Sequence, residues 1–156
     1  MKFVIQCTTQ ASVTIDQKLY SEIGKGFLVL IGICDEDTKE TADKMVRKLI
    51  GMRIFSDENG KTNLALKDVD GQLLLVSQFT LYADCKKGNR PSFVKAGSPQ
   101  HANELYEYII DACKKEVPVV KTGVFGAEME VALINDGPFT IILDSKDLAL
   151  SLIHIS

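Results

Sequence analysis

Two short polar segments, each at the edge of an apolar run, hold most of the side chains that could do chemistry. The first is Ser77-Gln78-Phe79-Thr80, reached through Leu73-Leu74-Leu75-Val76. The second is Asn135-Asp136-Gly137-Pro138-Phe139-Thr140, set between Val131-Ala132-Leu133-Ile134 and Ile141-Ile142-Leu143. A strand ending in hydroxyls and an amide offers side-chain donors, and main-chain N–H groups released from its ladder, to a ligand. A Gly-Pro pair places rigid main chain where a side chain would clash, because glycine has no Cβ and proline fixes φ. The two segments together point to a pocket that discriminates by main-chain shape.

By residue type Thr80 is the first candidate nucleophile and Ser77 the second. A hydroxyl nucleophile needs an adjacent base, and His101 and His154 are the only histidines. His101 sits near the start of a surface-packed helix and His154 in the C-terminal tail, so neither suits a triad. No Gly-x-Ser-x-Gly elbow is present. The four cysteines, at 7, 34, 85 and 113, form no CxxC pair, which argues against a structural zinc site or a disulfide framework. No cofactor or metal is expected.

The chain has 156 residues and a net charge of −3, which fits one domain and does not advertise a nucleic-acid binder. The charge is unevenly spread, however. Lys86, Lys87, Arg90 and Lys95 fall within ten residues free of acids. Such a block is either a solvated loop or a patch that steers phosphates. No stretch approaches the roughly 18 apolar residues of a membrane helix. The opening Met-Lys-Phe-Val-Ile-Gln reads as a strand and not as a signal peptide, so a cytoplasmic protein is expected.

The elements that must carry these residues are mostly strands. Residues 2–9, 11–16 and 18–23 read as strands, and Gly24-Lys25-Gly26 turns into the continuous apolar run 27–33, a buried strand. Asp37 is the expected cap of a helix, with Glu40 three residues on. Ala42, Met45, Val46, Leu49 and Ile50 repeat with helical spacing. A strand over 72–79 delivers the first polar segment, and Gly, Asn and Pro break all pattern from 84 to 97. Ser98 caps a second helix with Pro99 at its first position. Ala102, Leu105, Ile109 and Ala112 or Cys113 form its inner face. Strands over about 117–125 and 127–134 precede the Asn-Asp-Gly-Pro turn, and 139–144 returns. This pattern predicts a single α+β domain with a mostly antiparallel, barrel-like sheet and two main helices.

SQFTLYAD (77–84), KKGNRPSF (86–93), TGVFGAEMEV (122–131) and NDGPFT (135–140) together resemble the D-aminoacyl-tRNA deacylases, which remove D-amino acids wrongly esterified to tRNA. The likeness runs from Met1 to about Ser145, leaving 146–156 as a tail, oddly apolar at Leu148, Leu150, Leu152 and Ile155. The resemblance implies a metal-independent homodimer acting on D-aminoacyl-tRNA, and on glycyl-tRNA as well. It implies that Ser77, Gln78, Phe79 and Thr80 line the pocket for the 3′-terminal adenosine and its aminoacyl group. It further implies that Gly137 and Pro138, joined by a cis peptide and flanked by Asn135 and Thr140, enter from the partner subunit and screen chirality. Backbone N–H groups would polarise the carbonyl, and the 2′-hydroxyl of the tRNA would assist water. Lys86 and Arg90 would then meet phosphates.

One departure concerns Cys7, where the family usually carries an arginine that braces the Gly-Pro loop. Cysteine cannot donate forked, charged hydrogen bonds, so either another residue braces the loop, with Lys121 and Arg90 as candidates, or the chiral filter is looser. Two rival functions follow from the residues. A non-catalytic nucleic-acid-binding module would use the basic loop 86–95, and an esterase would act on small acyl compounds without RNA.

Overall fold

The computed structural model describes residues 1–148. Its frame is one long strand, β1 (Lys2–Ile15), which spans the two segments expected to be separate. Along one edge β1 pairs antiparallel with β2 (Lys18–Ile23) and then with β3 (Gly26–Gly32). Along the other it pairs antiparallel with β8 (Glu130–Asp144). Beyond β3 the sheet turns parallel, through β6 (Gln72–Ser77) and the short β7 (Val120–Thr122). The sheet is therefore mixed, with three antiparallel and two parallel pairings. The parallel pairs arise because a helix intervenes between β3 and β6, and another between β6 and β7, and such crossovers deliver strands pointing the same way. A separate two-stranded ribbon joins β4 (Phe55–Ser56) and β5 (Thr62–Leu64).

The chain bends sharply where β2 passes into β3, and Gly26 permits it. A Cβ at this position would overlap the Gln72 main chain. Gln72 also closes the corner, its Oε1 accepting from the Gly24 N–H at 2.8 Å. The bend carries β2 round towards β7, where the Ser21 hydroxyl donates to the Thr122 carbonyl at 2.7 Å. One side chain thus spans the seam of an almost closed barrel.

The helices α1 (Lys39–Gly51) and α2 (Pro99–Lys114) pack together over one face of the sheet. Helix α1 buries Ala42, Met45, Val46 and Leu49, as their spacing predicts. Each of the larger side chains contributes about 1.5–3 kcal/mol of burial. Its cap differs from expectation. Thr38, not Asp37, caps the helix, exchanging bonds with Thr41. The Asp37 carboxylate is already engaged by the Met1 ammonium at 2.9 Å and the Cys34 N–H at 2.9 Å, so it cannot turn to the helix. Helix α2 begins as expected, the Ser98 hydroxyl accepting from the His101 N–H.

Strand β3 is buried on both faces, as its unbroken apolar run requires. Phe27, Val29 and Ile31 meet the helices, whereas Leu28 meets Val13, Ile23, Leu74 and Val76 within the curl of the sheet. Strand β6 ends at Ser77, two residues earlier than predicted, because residues 79–82 coil into a short 3₁₀ turn. The second predicted pair of strands also shortens. Residues 123–129 form a loop, with a turn from Val124 to Ala127 and Gly126 at φ +77°. Of the tail, residues 145–148 begin a helical turn and Leu148 touches the core. Leu150, Leu152, His154 and Ile155 lie outside the described residues.

Candidate active site

Where β3 and β6 end together, the sheet, α2 and two loops enclose a cavity of about 560 Å³. Its floor is apolar, with Ile33, Val76, Met129 and Val131, and its mouth carries Ser77, Gln78, Phe79 and Phe93. None of the fifteen lining residues bears an ionisable side chain. The sequence places the polar end of β6 here by its own chemistry. Leu73, Leu74, Leu75 and Val76 are fully buried, so the strand stays in register until Ser77, and the change to polar residues releases it.

The release has a consequence for hydrogen bonding. The Gln78 N–H still donates to the Ile31 carbonyl at 2.7 Å, and Leu81 and Ala83 donate back to Gln78 and Thr80. The N–H groups of Phe79 and Thr80 open the 3₁₀ turn, and turn-initial donors have no partner within the turn. Among the described residues neither has any acceptor. Two adjacent main-chain donors at the edge of an uncharged cavity are suited to an oxyanion.

The Thr80 hydroxyl is exposed and does not line the cavity. It accepts from the Gln78 amide Nε2 at 2.6 Å. An amide cannot take a proton, so this neighbour does not activate the hydroxyl. Nor does His101, whose Nε2 lies 2.9 Å from the Asp37 carbonyl. Among the described residues no group of three or more His, Cys, Asp and Glu is placed to hold a metal.

The second polar segment lies elsewhere. Asn135, Gly137, Pro138 and Thr140 do not line the cavity of their own chain. They occupy β8 opposite Gln6 and Thr8 of β1, at two breaks in register. The Gly137–Pro138 peptide is cis and Gly137 has φ +116°. Asn135 holds the segment, its Oδ1 accepting from the Phe139 N–H at 3.3 Å and its Nδ2 donating to Thr140 Oγ1 at 3.1 Å. Gln6 adds a longer bond to the same hydroxyl, at 3.4 Å. Among the described residues neither Lys121 nor Arg90 bonds to the segment, so the brace comes from Asn135, Thr140 and Gln6. Cys7 lies buried behind it. Burial first, and then the charge of Asp136, pushes its thiol up to about 11.

The same strand pair presents an apolar outer face. Val4 pairs with Ile142 and Gln10 with Ile134, and these isoleucines are 70% and 52% exposed. Lys2, at one end of that face, donates from Nζ to the Leu81 carbonyl at 3.5 Å. The outer face therefore adjoins the turn that edges the cavity.

Lys86 and Arg90 sit on an exposed loop closed by mutual bonds between Asp84 and Ser92, at 2.7 and 2.9 Å. The Asp84 carboxyl is held below its usual range by the Lys86 N–H and then by Lys95, whose ammonium is 3.4 Å away. The structure brings this loop to the cavity mouth through Phe93, whose ring meets Phe79 edge-on at 5.1 Å.

Sequence reasoning named Ser77 to Phe79 as pocket residues but not Phe93, Gly97, Phe125, Ala127 or Met129. Two signals were available. Gly97 allows the chain to cross Ile33, where a Cβ would come within 3.2 Å of main-chain atoms, and Gly126 turns the 123–129 loop inward.

Residues 4–144 match the family described as D-Tyr-tRNA(Tyr) deacylase. A D-aminoacyl-tRNA deacylase of Clostridium novyi is 51% identical over 94% of this chain and 98% of its own length. The Clostridium acetobutylicum enzyme of the same name is 50% identical over the same shares. The solved c-Myc DNA Unwinding Element Binding Protein superposes with TM-score 0.87 at 41% identity, covering 92% of this chain and 98% of that one. A structure described as a "probable eukaryotic D-amino acid tRNA deacylase" shares the fold, with TM-score 0.77 at 18% identity and the same coverage. With the match extending over nearly all of its length, the chain belongs to the D-Tyr-tRNA(Tyr) deacylase family.

Proposed function

We propose that this protein hydrolyses the ester of D-aminoacyl-tRNA by position and main chain, in a homodimer whose two subunits share each site. The activity follows from family membership. The observation that carries the mechanism is an uncharged cavity edged by the unpartnered N–H groups of Phe79 and Thr80. The terminal adenosine and its aminoacyl group occupy the cavity, held by Ser77, Gln78 and Phe79. The ester carbonyl points at the two N–H groups, which stabilise the oxyanion as water adds. The neighbouring 2′-hydroxyl of the ribose orients that water, a role for which the lining offers no base.

Chirality is read by Gly137 and Pro138 of the partner subunit. Three observations support this: they do not line their own cavity, they lie on a strand whose outer face is apolar, and that face adjoins the cavity edge. Achiral glycyl-tRNA passes the same filter. Lys86 and Arg90 meet the RNA backbone, and the protein works in the cytoplasm, where charged tRNA is found.

The test is deacylation of matched D-Tyr-tRNA and L-Tyr-tRNA by purified protein with chelator present. Rapid loss of the D ester alone is expected. Binding of tRNA without turnover would restore the nucleic-acid-binding reading. Equal turnover of D-tyrosyl methyl ester would restore the small esterase.

A further inference from the structure

Phe79 and Phe93 are 55% and 36% exposed at the mouth of the cavity. Val94 beside them is 85% exposed. The rings meet at 73°, edge to face, which leaves ring faces open where a stacked pair would cover them. Immediately beyond, the Asp84–Ser92 loop carries Lys86, Lys87 and Arg90, none of which makes an ion pair among the described residues. Lys95, by contrast, is committed to Asp84. An open aromatic step beside uncompensated cations is the pattern by which proteins hold single-stranded nucleic acid.

The cavity interior fixes where along a strand this step acts. Its lining carries no charge, so a phosphodiester is not accommodated inside. A nucleotide chain leaving the cavity must place its first phosphate at the mouth. There Phe79 and Phe93 form the rim, and the loop that carries Lys86, Lys87 and Arg90 ends at Ser92, one residue before Phe93.

We propose that this rim is a second nucleotide subsite, which stacks the base preceding the terminal adenosine on the Phe79–Phe93 step. Lys86 and Arg90 hold the phosphate joining the two nucleotides. The subsite rests on the deacylase reading, which puts the terminal adenosine in the cavity, and adds to it a contact with the unpaired end of tRNA. Stacking on phenyl rings tolerates any base, since every base has a π-face. The subsite therefore detects that a nucleotide is present and single-stranded, and it favours aminoacyl-RNA over free aminoacyl-nucleosides.

The experiment compares four D-tyrosyl esters: of adenosine, of cytidylyl-adenosine, of the same dinucleotide with an abasic first sugar, and of full-length tRNA. In the wild-type protein the dinucleotide should exceed adenosine in kcat/KM on the order of tenfold, mostly through KM, as expected for one stacked base. The abasic dinucleotide should keep only a salt-sensitive part of that gain. Phe93→Leu, which retains apolar bulk but no ring face, should bring the ratio of dinucleotide to adenosine close to the abasic ratio. Equal kcat/KM for adenosine and dinucleotide, or a full gain from the abasic compound, would overturn the subsite. So would Phe93→Leu that dissociates the oligomer on a sizing column while leaving the ratio intact, since the rim would then be a subunit contact. If wild-type protein fails on full-length D-Tyr-tRNA, the deacylase reading itself falls, and the subsite with it.

Discussion

The proposed shared site depends on Gly137, a glycine at φ +116°, and Gly137→Ala tests it. The new Cβ would lie 3.2 Å from the Phe139 nitrogen, tighter than ordinary contact, and 3.4 Å from its Cβ, at the edge of it. An L-residue at this φ adds strain of about 1–3 kcal/mol. For a chain of this size that lowers Tm by roughly 3–10 °C, which leaves a folded protein at room temperature. Displacing the segment by a fraction of an ångström within a site should cost roughly a hundredfold in deacylation. The decisive step is complementation. Ala127→Trp fills the cavity but leaves the Gly-Pro segment intact, so it is inactive for the opposite reason. When the two inactive proteins are mixed, denatured and refolded, half the dimers are mixed. Each mixed dimer then has one site with an intact cavity facing an intact segment. Activity on D-Tyr-tRNA should recover to about one quarter of wild type, as a two-fold dimer requires. If mixing restores nothing although mixed dimers form, each site lies within one chain and the cross-subunit argument is refuted.

Thr80→Ala should change kcat/KM by no more than a few-fold, because the hydroxyl is tied to an amide and the N–H it leaves behind is unaltered. A loss of several hundred-fold in single-turnover assays would restore the nucleophile. Tyr106→Phe removes a buried 2.6 Å bond to the Leu75 carbonyl, which keeps a second donor in the Gly123 N–H at 3.2 Å. With no orphaned group left, the cost should be about 1 kcal/mol, seen as a Tm lowered by roughly 2–4 °C. Iodoacetamide at pH 8 should label exposed Cys85 and spare Cys7 and Cys113, whose thiols burial pushes up to about 11 and about 12. Both thiols are raised from 9.0, so their contribution to stability is complete below that pH. It is lost as pH climbs through 11 to 12, which a urea titration at pH 8 and 11.5 reads. Lys86→Ala should weaken tRNA binding equally for D and L esters and lower the salt slope of log K by about 0.7. An unchanged slope would show that this lysine meets no phosphate.

Much of the fold could be read from spacing alone because the buried faces are continuous. The apolar run 27–33 and the helical repeat of Ala42, Met45, Val46 and Leu49 leave few other solutions, and both lie where expected. The misreadings fall where a distant partner decides. Asp37 has the right side chain for a cap, but the Met1 ammonium 36 positions away holds it. Residues 2–9 and 11–16 are one strand, because β8 pairs along both and takes up most of the irregularity between Asn135 and Thr140, leaving β1 one extra residue at Thr9. The parallel pairings of β6 were likewise hidden. A strand buried on both faces looks the same in sequence whichever way its neighbours run.

The candidate site divides in the same way. Ser77 to Phe79 were legible because a sharp change from buried leucines to polar residues can only mean that a strand has reached an edge. Phe125, Ala127 and Met129 read as strand because their β-formers outweigh the glycines that turn the loop. Among the described residues of one chain, Lys121 and Arg90 make no bond to the Gly-Pro segment. The hydrogen bonds within the segment come instead from Asn135, a side chain short enough to reach across its own bulge. That substitution bears on Cys7. An internal brace of neutral hydrogen bonds leaves no role for a charged group behind the segment, and a small buried thiol fills the space at lower desolvation cost than an unpaired guanidinium. The cysteine is then compatible with a rigid filter, provided Asn135 and Thr140 hold it. Chiral stringency in this protein should depend on those two residues more than on position 7.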